Sequence, residues 1–116
     1  VRWAAVFGGG MGRLREVCGT FSGAVIVVNA LYGYSDPKNV QAKAELYSRI
    51  QELAAQFRRD NGSIICKELL GLSRPEGSPI PEARTDEYYK KRPCPELCRY
   101  SANMLEEYIR EHPPVK

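Results

Sequence analysis

The stretch VCGTFSGAVIVVNALYG (Val17–Gly33) decides the fold. Its β-branched centre, AVIVV, has the composition of a strand. Its length and the small residues beside it suit a buried helix instead. Gly19 and Gly23 stand four apart, which puts two small residues on one helical face and lets another backbone come close. We take the stretch as a helix. The chain then becomes all-α, a small bundle of about five helices, the first cut short at Val1, with a long irregular loop at about 72–93.

The segment that follows is plainer. In SDPKNVQAKAELYSRIQELAAQFRRDNG (35–62), Asp36 is a natural N-cap. Pro37 fits the first helical position, where its missing N–H costs nothing. Val40, Ala44, Tyr47, Ile50, Ala54 and Phe57 recur at three- or four-residue intervals and predict one apolar face. Gly62 ends the helix. Ser63 then caps a short helix, IICKELL, which stops at Gly71. The stretch GLSRPEGSPIPEARTDEYYKKRP is rich in proline, glycine and charge and has no apolar period, so it reads as a surface loop, a connector or a lid. The last helix is CPELCRYSANMLEEYIREH. Pro95 and Glu96 suit its first turn, and Leu97, Tyr100 or Ser101, Met104, Leu105 and Tyr108 trace its core stripe. HPP stops it and leaves His112 on the surface.

At 116 residues the chain makes one domain that buries about two-thirds of its unfolded surface. The 17 basic and 14 acidic residues are interspersed, so there is no electrostatic footprint for nucleic acid. The short basic run YYKKRP (Tyr88–Pro93) reads as solvated loop. No apolar run reaches the ~20 residues of a membrane span, and no insertion is expected. With no signal peptide visible, a cytoplasmic location is expected, although the opening VRWAAVF carries no initiator methionine.

The chemistry rests on Cys18, Cys66, Cys94 and Cys98. Without an export signal, an even cysteine count favours metal or redox roles over structural disulfides. Cys18 opens the apolar helix, Cys66 lies in the first turn after Ser63, and Cys94 stands at the cap position before Pro95. Each therefore sits at a positive helix end, which favours the thiolate that attacks disulfides and binds metals. Cys94 and Cys98 stand at i and i+4 on one face, a spacing for shared ligation. The other reading is that a free cysteine is a small buried hydrophobe. The spacings match neither compact zinc patterns nor the bacterial ferredoxin run, so any site is assembled from distant segments.

Six glycines fall in FGGGMGRLREVCGTFSG (Phe7–Gly23). GGGMGR resembles a phosphate cradle in part but lacks GK[ST]. The better account is steric: the chain turns tightly and its backbone lies close to something beside Cys18. Gly8, Gly9, Gly10 and Gly19 are thus the candidates for backbone contact with a cofactor. One histidine, His112, placed near the end, sets Ser–His and Cys–His catalysis aside.

The blocks FGGGMGR…VCGTFSGA, GSIICKELLG and KRPCPEL, in that order, resemble the C-GCAxxG-C-C family, whose members are named for redox activity. The resemblance covers nearly the whole chain. The family's CGAxxG block stands here as Cys18-Gly19-Thr20-Phe21-Ser22-Gly23, with threonine replacing alanine. It implies one small helical domain over 1–116, lacking its N-terminal portion, with a redox or metal site of clustered cysteines. Cys18, Cys66 and Cys94 correspond to family cysteines. The remaining one lies in a helix upstream of this sequence. Cys98 falls where similar members carry an apolar residue; either the upstream cysteine is missing here, or Cys98 substitutes for it in part.

Three functions stay open. In the first, Cys18, Cys66, Cys94 and Cys98 ligate an iron–sulfur centre, [2Fe–2S] being the expected type, for electron transfer to a redox partner protein. The second is metal-free thiol–disulfide exchange, with Cys18 attacking and Cys66 or Cys94 resolving. The third is structural zinc, or a purely structural helical module. A homodimer is left open.

Overall fold

The computed structural model describes residues 3–71, 85–86 and 92–114. The expected loop at 72–93 lies almost wholly outside them. Among the described residues a 3-10 turn, Ala5–Phe7, precedes five helices: α1 (Gly8–Met11), α2 (Gly19–Tyr32), α3 (Val40–Asn61), α4 (Cys66–Leu69) and α5 (Cys94–Glu111). Among the described residues there is no strand, only an isolated antiparallel bridge between Val17 and Ile65. The fold is all-α. No described helix is long and apolar enough to cross a membrane.

α2 is the central element and packs against both α3 and α5. It buries Phe21, Ala24 and Val28, spaced three and four apart. Those contacts override the strand propensity of AVIVV, because packing, more than local preference, decides such apolar runs. The burial is one-sided, however. Ile26 and Val27 are 36% and 39% exposed, so α2 is not the fully buried helix that its composition suggests. Phe57 of α3, fully buried, meets Phe21 and Tyr100 edge-to-face with centroids 5.6 and 5.4 Å away. Burying each such ring contributes roughly 1.5–3 kcal/mol.

α3 starts three residues later than its sequence suggests. Asn39, not Asp36, is the N-cap, its side chain accepting from the Ala42 N–H at 3.0 Å. Asp36 instead accepts from the Lys38 N–H, closing a local turn that leaves Pro37 outside the helix. The buried face is also rotated. Leu46, Leu53, Ala54 and Phe57 are buried, whereas Val40 and Tyr47 are 75% and 55% exposed. Gly62 ends the helix in the left-handed conformation as expected.

α5 buries Leu97, Ser101, Met104 and Tyr108, the predicted stripe. The Ser101 hydroxyl donates to the Thr20 carbonyl at 2.8 Å, tying α5 to the first turn of α2. At the other end, Tyr32 donates its hydroxyl to the His112 carbonyl, and the Arg49 guanidinium lies 4.2 Å over the Tyr32 ring. His112 is correspondingly only partly exposed, its ring stacked on Tyr108, because the α5 terminus folds against α2.

Among the described residues no regular helix leads into α2. Gly9, Gly10, Met11, Gly12 and Arg13 all have φ between 58° and 70°. Consecutive left-handed residues cannot extend a right-handed helix, and each L-residue among them costs roughly 1–2 kcal/mol. The chain closes here into a tight left-handed turn. Its far side is pinned by the Arg15 N–H on Gly9 O at 3.1 Å and the Glu16 N–H on Gly10 O at 2.9 Å.

Candidate functional site

The left-handed turn delivers residues 15–18 alongside residues 64–67. The Cys18 N–H donates to Ile64 O at 2.7 Å, the Cys66 N–H to Glu16 O at 2.5 Å and the Lys67 N–H to Arg15 O at 3.1 Å. These backbone bonds fix Cys18 and Cys66, 48 positions apart in sequence, as neighbours across one short seam. Both are buried, each 7% exposed. Cys18 is the N-cap of α2, and Cys66 is the first residue of α4. Cys94 is the first residue of α5, one position inside the expected cap, which falls on Pro93. Cys98 follows one turn later and is exposed.

All four cysteines line a single cleft of about 370 Å³. The candidate glycines Gly8, Gly9, Gly10 and Gly19 line it too, so every site residue singled out from the sequence reaches one place. Two of these glycines have a steric reason to be there. A Cβ on Gly10 would stand 2.6 Å from the Cys66 Cβ and 2.7 Å from the Glu16 nitrogen. A Cβ on Gly19 would stand 2.9 Å from the Phe7 carbonyl oxygen. Gly8, by contrast, has open space, and so does Gly23, whose pairing with Gly19 serves no close approach.

The cysteines are free thiols in different settings. Cys18 Sγ is hydrogen-bonded to Thr20 Oγ1 at 3.1 Å. Cys66 Sγ accepts from Arg15 Nη1 at 3.7 Å. Cys94 is pushed above the ordinary thiol range, first by burial and then by the neighbouring Cys18, Cys66 and Cys98, with Arg92 opposing. Burial and like charge thus work against the helix end at Cys94, which by itself favours the thiolate. For Cys66 the helix-end argument is weak on other grounds, since α4 is a single turn of 4 residues.

Sequence reasoning passed over Arg15 and Thr20. Arg15 is only 3% exposed and lines the cleft. Nothing in GRLREVC marks it, because no periodic pattern signals a buried charge in a turn. No carboxylate is among the described residues that line the cleft. Among the described residues, no three His, Cys, Asp or Glu side chains close around one point as a single ion requires. The donor set is therefore four soft sulfurs spread around a hollow larger than one ion.

Compared with known proteins, the chain matches over residues 1–108 the model of a family described as "Putative redox-active protein (C_GCAxxG_C_C)". No curated protein and no solved structure matches it.

Proposed function

The chain belongs to the C_GCAxxG_C_C family, and from that premise we propose that its cysteine cleft is a redox centre built to hold an iron–sulfur cluster of the [2Fe–2S] type. The observation that carries this reading is the convergence of Cys18, Cys66, Cys94 and Cys98 on one cleft without a described carboxylate. Thiolate sulfur is the ligand that such clusters take, and a two-iron centre spreads its ligands more widely than a single ion does. When bound, the centre would supply one-electron transfer. The chain's own part is to present the four sulfurs, to bring backbone close through Gly10 and Gly19, and to keep water from Cys18 and Cys66 by burial. Solvent exposure and hydrogen bonds to sulfur are the means by which a protein tunes such a site.

A second reading is favoured by the absence of any three-ligand grouping among the described residues. In it the cysteines act without metal. One thiolate attacks a substrate disulfide and releases one substrate thiol. A second cysteine then displaces the other, leaving an intramolecular disulfide while the substrate gains two electrons.

Anaerobic purification, a visible spectrum, and iron and acid-labile sulfide assays on one sample decide between them. Colour with stoichiometric iron and sulfide is expected, lost on replacing Cys18, Cys66 or Cys94 by serine. Cys98→Ser then tests whether the exposed sulfur is the fourth ligand. A colourless, iron-free protein refutes the cluster, and an intramolecular disulfide formed on oxidation would establish the second reading. Bound zinc in a colourless protein would refute both.

A further inference from the structure

Cys18 stands at the N-cap of α2, the position whose side chain ordinarily accepts from the backbone N–H groups of the first turn. Its sulfur makes no such bond. It lies instead 3.1 Å from the hydroxyl oxygen of Thr20, two residues on. Inside a helix a threonine hydroxyl can bond back to the carbonyl four residues before it. Thr20 is the second residue of α2, so that carbonyl, of Glu16, lies outside the helix and accepts from the Cys66 N–H. The hydroxyl turns to the sulfur instead. The backbone holds the pair from both sides. The Cys18 N–H is fixed on Ile64 O at 2.7 Å, and the Thr20 carbonyl accepts from the Ser101 hydroxyl at 2.8 Å. Thr20 lines the cysteine cleft, and Cys18 is buried, so water has little access to its sulfur. The direction of the bond follows from charge. A sulfur that has given up its proton can only accept, and the threonine hydroxyl then carries the one proton between them.

We propose that Thr20 is a positioning residue of the cysteine centre, its hydroxyl donating to Cys18 Sγ and stabilising the negative charge that this sulfur carries when the centre is reduced. This rests on the reading of the cleft as a redox centre, and it adds a residue that sets the potential. Hydrogen bonds to the sulfurs are one of the means by which a protein fixes the potential of a thiolate-held centre. Each electron that enters such a centre adds negative charge to its sulfurs. A donor at Cys18 strengthens with that charge, so it favours the reduced state and raises the potential. The sign is the same without metal, where reduction of a disulfide at Cys18 leaves a sulfur that the hydroxyl stabilises.

The test is the midpoint potential of the anaerobically purified full chain, followed by its visible colour and compared with variants whose fold is checked by circular dichroism. Thr20→Val keeps the branched shape and removes the hydroxyl. It should move the balance of oxidised to reduced centre about tenfold toward oxidised, which for one electron is a potential lower by about 59 mV. Thr20→Ser, which keeps the hydroxyl, should restore most of the wild-type value, an order that a purely structural role would not give. Should Thr20→Val not fold, Thr20→Ala takes its place. A coloured protein with equal potentials in wild type and Thr20→Val overturns the proposal and leaves the cluster standing. If the protein is colourless, the same comparison is made on the Cys18 disulfide, equilibrated in glutathione buffers, trapped and mapped by mass spectrometry. A lower potential in Thr20→Val then refutes the cluster and leaves Thr20 in place. An unchanged potential, or a Cys18 that forms no disulfide, overturns the proposal.

Discussion

Replacing Gly10 by alanine tests whether the left-handed turn is shaped around Cys66. The residue has φ +70°, and a Cβ there would lie 2.6 Å from the Cys66 Cβ, 2.7 Å from the Glu16 nitrogen and 2.8 Å from the Arg15 Cα. Two of the three atoms are backbone, so no side-chain rotation relieves the clash. The left-handed conformation costs an L-residue roughly 1–2 kcal/mol, and overpacking adds about 1–3 kcal/mol. The total, roughly 2–5 kcal/mol, corresponds to a fall in Tm of roughly 8–20 °C for a chain of this size. Gly12→Ala is the matched control. It has φ +58° and nothing within 4 Å of the new Cβ, so only the conformational part applies. Its Tm should fall by roughly 4–8 °C. Thermal unfolding of the two variants, followed by circular dichroism, separates strain from contact. Equal losses would refute the claim that Gly10 is required by its packing on the Cys66 segment.

Further outcomes follow from local features. Asn39→Ala should lower stability by about 1 kcal/mol in urea unfolding, because its side chain caps α3. Asp36→Ala, which removes no cap, should cost much less, and the reverse order would move the helix start back to Asp36. Gly23→Ala, inside α2 with open space at its Cβ, should stabilise the fold by roughly 0.5–1 kcal/mol, read as a higher urea midpoint. Tyr100 is pushed up to about 12, by burial first and then by its hydrogen bond to Asp60. Its folded value lies above its unfolded one, so this stability is present below about pH 10 and is lost between pH 10 and about 12. The loss should be under about 1 kcal/mol in this part-exposed pair, and Tyr100→Phe should remove that step from the pH–stability curve. The same bond, with Arg59, holds the Asp60 carboxyl below its ordinary range. Its contribution is present above that range and fades on acidification through the lowered value.

What was legible in the sequence, and what was not, divides along physical lines. Helix starts are written in residues that act locally, and Pro95 and the small residues after Cys18 place Cys94 and Cys18 at the ends of α5 and α2 within a residue. The start of α3 misleads because Asp36 and Asn39 can both cap, and only the chain's direction on entry chooses Asn39. Its stripe misleads for a related reason: Leu46 and Leu53 lie within a turn of Tyr47 and Ala54, so the period alone does not say which side meets α2. The least legible residue is Arg15. Charge in a sequence reads as surface, and burial of this one depends on the seam between residues 15–18 and 64–67, some fifty positions apart.

Those features are one device rather than several. A left-handed turn from Gly9 to Arg13 reverses the chain within a few residues. The reversal lets Gly10 lie against Cys66 without a side chain between them. With no side chain there, the Arg15 and Glu16 carbonyls reach the Lys67 and Cys66 N–H groups, and the seam that buries Arg15 can close. Remove the glycine, and the positions of Cys66 and Arg15 should be lost together, not one without the other. Gly10→Ala should therefore speed the alkylation of the buried Cys66 by iodoacetamide as well as lower Tm, whereas Gly12→Ala should lower Tm and leave that rate unchanged. A Gly10→Ala protein that is destabilised but keeps the wild-type rate would show that the Cys66 segment holds its place independently of the turn.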